Sequence, residues 1–198
     1  MNLIHKEHPL QIYKEPTLIG LNNIGATLFM NSSLQCLSQT QSLTNYFLNK
    51  SNQEMILNNN IFKENKDLPQ LSPVYLKLIK MLWDKNKKGI SFSPKDFMET
   101  IEKMNPLFKK GQNSDSKDFI IFVLEQIHKE LKRKIKLESC SVPLNQFDRK
   151  NAFSNFKNDF QKEDSIISDN FLGIIETTNV CLYCKNFYNS NGLNYPIC

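Results

Sequence analysis

Three sets of residues in this 198-residue chain have types and spacings that could do chemistry. Cys181-Leu182-Tyr183-Cys184 is a C-x-x-C pair with the spacing of half a zinc ribbon. Structural zinc takes four ligands; Cys198 could be a third, and no fourth is apparent, so an empty pair is expected in reducing conditions. Asp115 and Asp118 stand three apart at an expected helix start, where carboxylates cap free amides and complement the helix dipole. Nucleophilic catalysis would need a thiol or hydroxyl beside a base. The histidines are only His5, His8 and His128. The first two fall in the lead-in, and His128 falls near the buried stripe of a long helix, where a structural role is expected. Cys36 is expected to be a core thiol. Ser32 and Ser33 lack a visible base.

The stretch Gly20-Leu21-Asn22-Asn23-Ile24-Gly25-Ala26-Thr27-Leu28-Phe29-Met30-Asn31-Ser32-Ser33-Leu34-Gln35 is the most specific feature of the chain. It resembles the cysteine box of the ubiquitin-specific proteases, G-L-x-N-x-G-N-T-C-[YF]-M-N-S-x-L-Q. Three further stretches follow in that family's order. Gly111-Gln112-Asn113-Ser114-Asp115-Ser116-Lys117-Asp118-Phe119 is similar to its Q-Q-D-A-x-E-F motif, with Asp118 in place of the glutamate. Phe171-Leu172-Gly173 is similar to its F-x-G segment, and Cys181 with Cys184 to its first zinc-ligand pair.

The resemblance implies an α+β, papain-like cysteine-protease fold. This chain would carry mainly the helical thumb and the start of the β fingers, with the palm sheet, the catalytic histidine and the second zinc pair lying beyond Cys198. The expected division is a lead-in over 1–19, a thumb over 20–172, and truncated fingers over 173–198.

The departures from the box fall on its chemistry. Leu28 stands at the nucleophile position and Ala26 at the oxyanion position. A cysteine at a helix N-terminus has a lowered pKa and reacts well. Leucine has no lone pair and no proton to lose, and it is expected to plug the cleft or narrow the channel for the Gly-Gly end of ubiquitin. Removing a nucleophile typically costs on the order of 10⁶ in rate, and losing one oxyanion donor roughly 10²–10³. Cys36, eight residues on, lies about 12 Å further along the helix axis and cannot substitute.

The expected function is therefore that of an inactive deubiquitinase-like domain, a pseudoprotease that contacts ubiquitin weakly or scaffolds a partner covering the exposed thumb face. In the family the acidic residues of the second motif hold the basic tail of ubiquitin, which makes Asp115 and Asp118 the candidate contacts. The alternatives are a fragment of an active enzyme completed by missing sequence, and a zinc-ribbon adaptor unrelated to ubiquitin.

The elements that must position these residues read from pattern. A helix is expected from Ala26 or Thr27 to about Ser38, burying Met30, Leu34 and Leu37. A short one follows at Leu43–Leu48, then a loop to Gln70. Ser72-Pro73 and Ser93-Pro94 each read as a helix start, running to Trp83 and Met104, with Asp96 completing a capping box. The longest helix should run from Asp115 to about Leu137 on a stripe of Phe119, Val123, Ile127, Leu131 and Ile135. A loop at 138–150, a helix at Ala152–Lys162 and a short helix ending near Phe171 precede β-forming residues after Gly173.

Composition sets bounds. Apolar content of 40% and charged content of 23% suit a globular chain with one core. The net charge of +5 is dispersed, so no nucleic-acid partner is expected. The longest apolar run, Phe119 to Leu124, is too short for a membrane helix. Five cysteines without disulfide spacing, and no secretory signal, point to cytosol or nucleus.

Overall fold

A computed structural model of the chain describes residues 19–50, 69–87, 89–132, 164–173, 175–180, 182, 183 and 187–192. They divide into two compact units, one up to Leu131 and one from Lys132.

The first unit holds strand β1 (Gly20–Leu21), helices α1 (Leu28–Ser38), α2 (Gln41–Asn49) and α3 (Leu71–Leu82), strand β2 (Ser91–Phe92), and helices α4 (Lys95–Met104) and α5 (Ser116–Leu131). β1 and β2 pair in parallel, Gly20 with Ser91 and Leu21 with Phe92, and the Asn22 N–H extends the ladder to the Phe92 carbonyl at 2.8 Å. α3 packs on α2, α4 and α5, and α1 packs on α2 and α5.

The core follows from helical periodicity. Met30, Leu34 and Leu37 of α1 are buried, as are Phe119, Val123, Ile127 and Leu131 of α5. An aromatic chain links the helices. Phe29 meets Phe119 edge-on at 5.4 Å, Phe119 meets Phe97 at 6.5 Å, Phe97 meets Tyr75 at 6.4 Å, and Tyr75 meets Phe47 at 4.7 Å. Such offset contacts add about 1 kcal/mol each beyond area burial.

Helix boundaries differ from expectation where tertiary partners intervene. α1 starts at Leu28, because Gly25 and Ala26 have φ of 115° and 51°, outside helical space. α3 starts at Leu71, and Ser72 lies inside its first turn with a buried hydroxyl that has no hydrogen-bond partner among the described residues. The cap comes from α5: the Glu130 carboxylate accepts the Leu71 and Ser72 N–H groups, each at 2.7 Å. The capping box expected at Ser93 and Asp96 does not form. The Ser93 hydroxyl accepts from Asn22 Nδ2 at 3.0 Å, and Asp96 pairs with Lys77. That hydrogen bond and charge hold the exposed Asp96 carboxyl below its usual range.

α5 ends at Leu131, short of Leu137; Ile135 and the helix expected at Ala152–Lys162 lie outside the described residues. So do the lead-in before Ile19, with His5 and His8, and most of the loop expected up to Gln70.

The second unit holds helix α6 (Ile166–Phe171) and the antiparallel pair β3 (Ile175–Val180) and β4 (Phe187–Gly192), in register from Ile175–Gly192 to Val180–Phe187. α6 begins with a complete capping box. Ser165 Oγ accepts from Ile167 N and Ser168 N, and Ser168 Oγ accepts from Ser165 N. No helix among the described residues is long and apolar enough to cross a membrane.

Candidate functional site

The loop Asn23–Thr27 and the first turn of α1 form the site, and asparagine side chains build it. Asn23 Oδ1 accepts three hydrogen bonds: from Gly25 N at 3.2 Å, Thr27 N at 3.1 Å and Thr27 Oγ1 at 3.2 Å. One acceptor thus folds five residues into a tight turn. Asn31 Nδ2 donates to the carbonyls of Leu21 at 3.2 Å and Asn22 at 3.0 Å, and Gln35 Nε2 donates to the Ile19 carbonyl at 2.9 Å. The strand entering the site is therefore tied to α1 by side chains one helical turn apart. Lys110 packs its aliphatic stem over Gly25, and Gly111 N–H donates to the Gly25 carbonyl at 3.0 Å.

Position 28 opens α1. Thr27 makes no side-chain cap, so the amides of the first turn are not capped by the residue best placed to do it. A thiol here would be stabilised as thiolate by those amides and the dipole. The side chain present is Leu28, 66% exposed. It does not enter the core; it lines an open groove of about 590 Å³ together with Leu21, Phe29, Asn31, Ser32 and Gln35 on one side and Asn113, Ser114 and Ser116 on the other. Ala26, expected at the oxyanion position, has φ of 51° and only a methyl group to offer.

Asp115 caps α5. Its Oδ1 accepts from Lys117 N at 2.6 Å and Asp118 N at 3.3 Å. Asp115 and Asp118 are both exposed, and Asp115 sits between the two lining residues Ser114 and Ser116. The start of α5, with Asp115 as its cap, therefore adjoins the groove that holds Leu28, and Asp118 follows in the first turn of that helix. Cys36 corrects an expectation: it is an exposed thiol, because it stands two residues from Leu34 and so falls off the buried face of α1. His128 is half-buried on α5. Cys181, Cys184 and Cys198 lie outside the described residues, and among the described residues no group of three or more His, Cys, Asp or Glu could hold a metal.

Sequence reasoning did not assign roles to Asn23, Asn31, Gln35, Phe29 or Lys110. Spacing could have found the α1 members, since 28, 31/32 and 35 recur at the helical period opposite Met30, Leu34 and Leu37. The contact of Lys110 with Gly25 has no local signal.

A tight glycine turn feeds a helix N-terminus, and the start of a second helix borders the same groove. The profile of one family, described as ubiquitin carboxyl-terminal hydrolase, matches residues 19–187, and the chain belongs to that family. It is 32% identical over 186 residues to ubiquitin carboxyl-terminal hydrolase 4 of Mus musculus, covering 90% of this chain and 18% of that protein. It is 33% identical over 181 residues to ubiquitin carboxyl-terminal hydrolase 15 of Homo sapiens, covering 86% of this chain and 17% of that protein.

Among solved structures, the chain is similar in fold to a SAGA DUB module of Ubp8, Sgf11, Sus1 and Sgf73 bound to monoubiquitin, with TM-score 0.57, 19% identity, and coverage of 90% of this chain and 35% of that one. A second module of those four proteins, bound to ubiquitin aldehyde, aligns with TM-score 0.54 and 19% identity over 89% of this chain and 33% of that one. The chain thus spans less than a fifth of these curated relatives and about a third of these solved chains. It has the ubiquitin-specific-protease fold, in its mostly helical part.

Proposed function

We propose that this chain is a deubiquitinase-like domain without peptidase activity, which keeps the groove of its family as a binding site. One observation carries the reading. The side chain at the helix N-terminus, where a thiolate would attack, is the exposed hydrocarbon of Leu28. No acyl-enzyme can form on it, and Ala26 removes a side-chain donor from the same loop. Losing the nucleophile alone lowers the rate on the order of 10⁶.

Asp115 and Asp118 present carboxylates to an extended basic segment, and the ligand this reading favours is the tail of ubiquitin or of a protein that carries it. The ubiquitin-bound state of the similar solved modules supports that choice. Cys181 and Cys184, which fall between β3 and β4 in the sequence, are candidate zinc ligands, with chemistry suited to half a tetrahedral site.

The test is a ubiquitin probe with a C-terminal electrophile. The chain should remain unlabelled at Leu28 and retain the probe non-covalently. Retention should fall with Asp118→Lys combined with Asp115→Asn, which keeps the capping oxygen. Leu28→Cys should gain a covalent adduct. Release of ubiquitin from a conjugate by the unaltered chain, in proportion to its concentration, would refute inactivity.

A further inference from the structure

The groove has an uneven character. Leu28 projects 66% exposed into it, beside Leu21 and Phe29, while the exposed Asp115 stands in the chain between the lining residues Ser114 and Ser116. The chain as a whole is basic, at +5, so two exposed carboxylates there are a local reversal of sign. Asp118 follows Asp115 by three residues, in the first turn of α5. An apolar lining and a neighbouring acidic helix start are separate features.

We propose that Leu28 converts the former reaction centre into an apolar subsite, and that the groove prefers an extended partner segment whose basic residues face Asp115 and Asp118 and whose next part places an apolar side chain on Leu28. This rests on the reading that the groove receives an extended segment, and it narrows the ligand class. A glycine passing Leu28 covers little of it and gains little. A leucine or phenylalanine there removes two apolar surfaces from water together. One matched apolar group in a partly enclosed pocket discriminates by roughly tenfold or more. The polar wall of Ser32, Asn113 and Ser114 offers groups to the main chain of such a segment.

Two labelled synthetic peptides test this by fluorescence polarisation. They share one basic stretch, and one continues in glycines while the other continues in leucine. The unaltered chain should bind the leucine peptide roughly tenfold more tightly, and Leu28→Ser should erase that preference by bringing the leucine peptide down to the affinity of the glycine peptide. Leu28 is largely exposed, so the variant folds. Equal affinities in the unaltered chain would overturn the apolar subsite and leave the binding groove standing. Binding of neither peptide would overturn both. Light scattering that shows a dimer dissolved by Leu28→Ser would also overturn the proposal, because the occupant would be a second copy.

Discussion

Ala26 is the residue at which the departure from the family pattern becomes a physical cost. Its φ of 51° lies in left-handed space, where a Cβ crowds the following carbonyl and costs roughly 1–2 kcal/mol. Asparagine, the family residue there, tolerates that conformation, so the substitution affects the loop as well as the chemistry. Ala26→Gly should raise stability by about 0.5–1 kcal/mol in thermal or urea unfolding. Gly25→Ala, at φ of 115°, should lower it by more than about 1 kcal/mol. A neutral or destabilising Ala26→Gly would refute the strained turn. Leu28 contrasts with Ala26: it is exposed and unstrained, so its consequence is chemical and its substitution should change stability by less than about 0.5 kcal/mol.

The N-terminus of α3 shows how an element can be completed from a distance. Its first two amides are held by Glu130, 59 residues away from Leu71. Charge-assisted bonds of this kind are worth about 1.5–3 kcal/mol. Glu130→Ala should therefore cost about 2 kcal/mol, and Glu130→Gln somewhat less, since one carbonyl oxygen remains to accept. Hydrogen exchange should show the added opening first at the amides of Leu71 and Ser72. Loss of stability without faster exchange there would count against the cap. At α1 no side-chain cap forms at Thr27, and Asn23 orders only the loop that precedes the helix, so the two helix starts differ in how they are completed.

At the scale of the whole molecule, the aromatic chain from Phe29 to Phe47 ties the ground beneath the site to the far side of the first unit. Tyr75 lies within it, fully buried, with a hydroxyl that has no hydrogen-bond partner among the described residues. Burial pushes that hydroxyl far above its ordinary range. The folded state thus holds the proton more tightly than the unfolded state, in which tyrosine titrates near about 10. Stability from this linkage is intact below about pH 10 and falls above it, by about 1.4 kcal/mol per pH unit. Tyr75→Phe should remove that alkaline loss and should raise stability at neutral pH by about 1 kcal/mol, because an unsatisfied hydroxyl leaves the core. Denaturant titrations of both forms at pH 7 and pH 11 check it; a weaker Tyr75→Phe at pH 7 would mean that the hydroxyl has a partner.

What the sequence determined by itself was the family and the existence and phase of the main helices. These are local properties. Periodicity at 3.6 residues fixes the buried faces of α1 and α5 without reference to anything else, and a sixteen-residue box identifies its own alignment. The tertiary structure decided where helices begin, since Glu130 displaced Ser72 as a cap and Asn22 engaged Ser93. It decided that Leu28 faces a groove whose other wall is Asn113, Ser114 and Ser116. Those outcomes depend on contacts between residues far apart in the chain, such as Lys110 over Gly25. No window of sequence contains both partners of such a contact, so its existence is settled only when the helices pack.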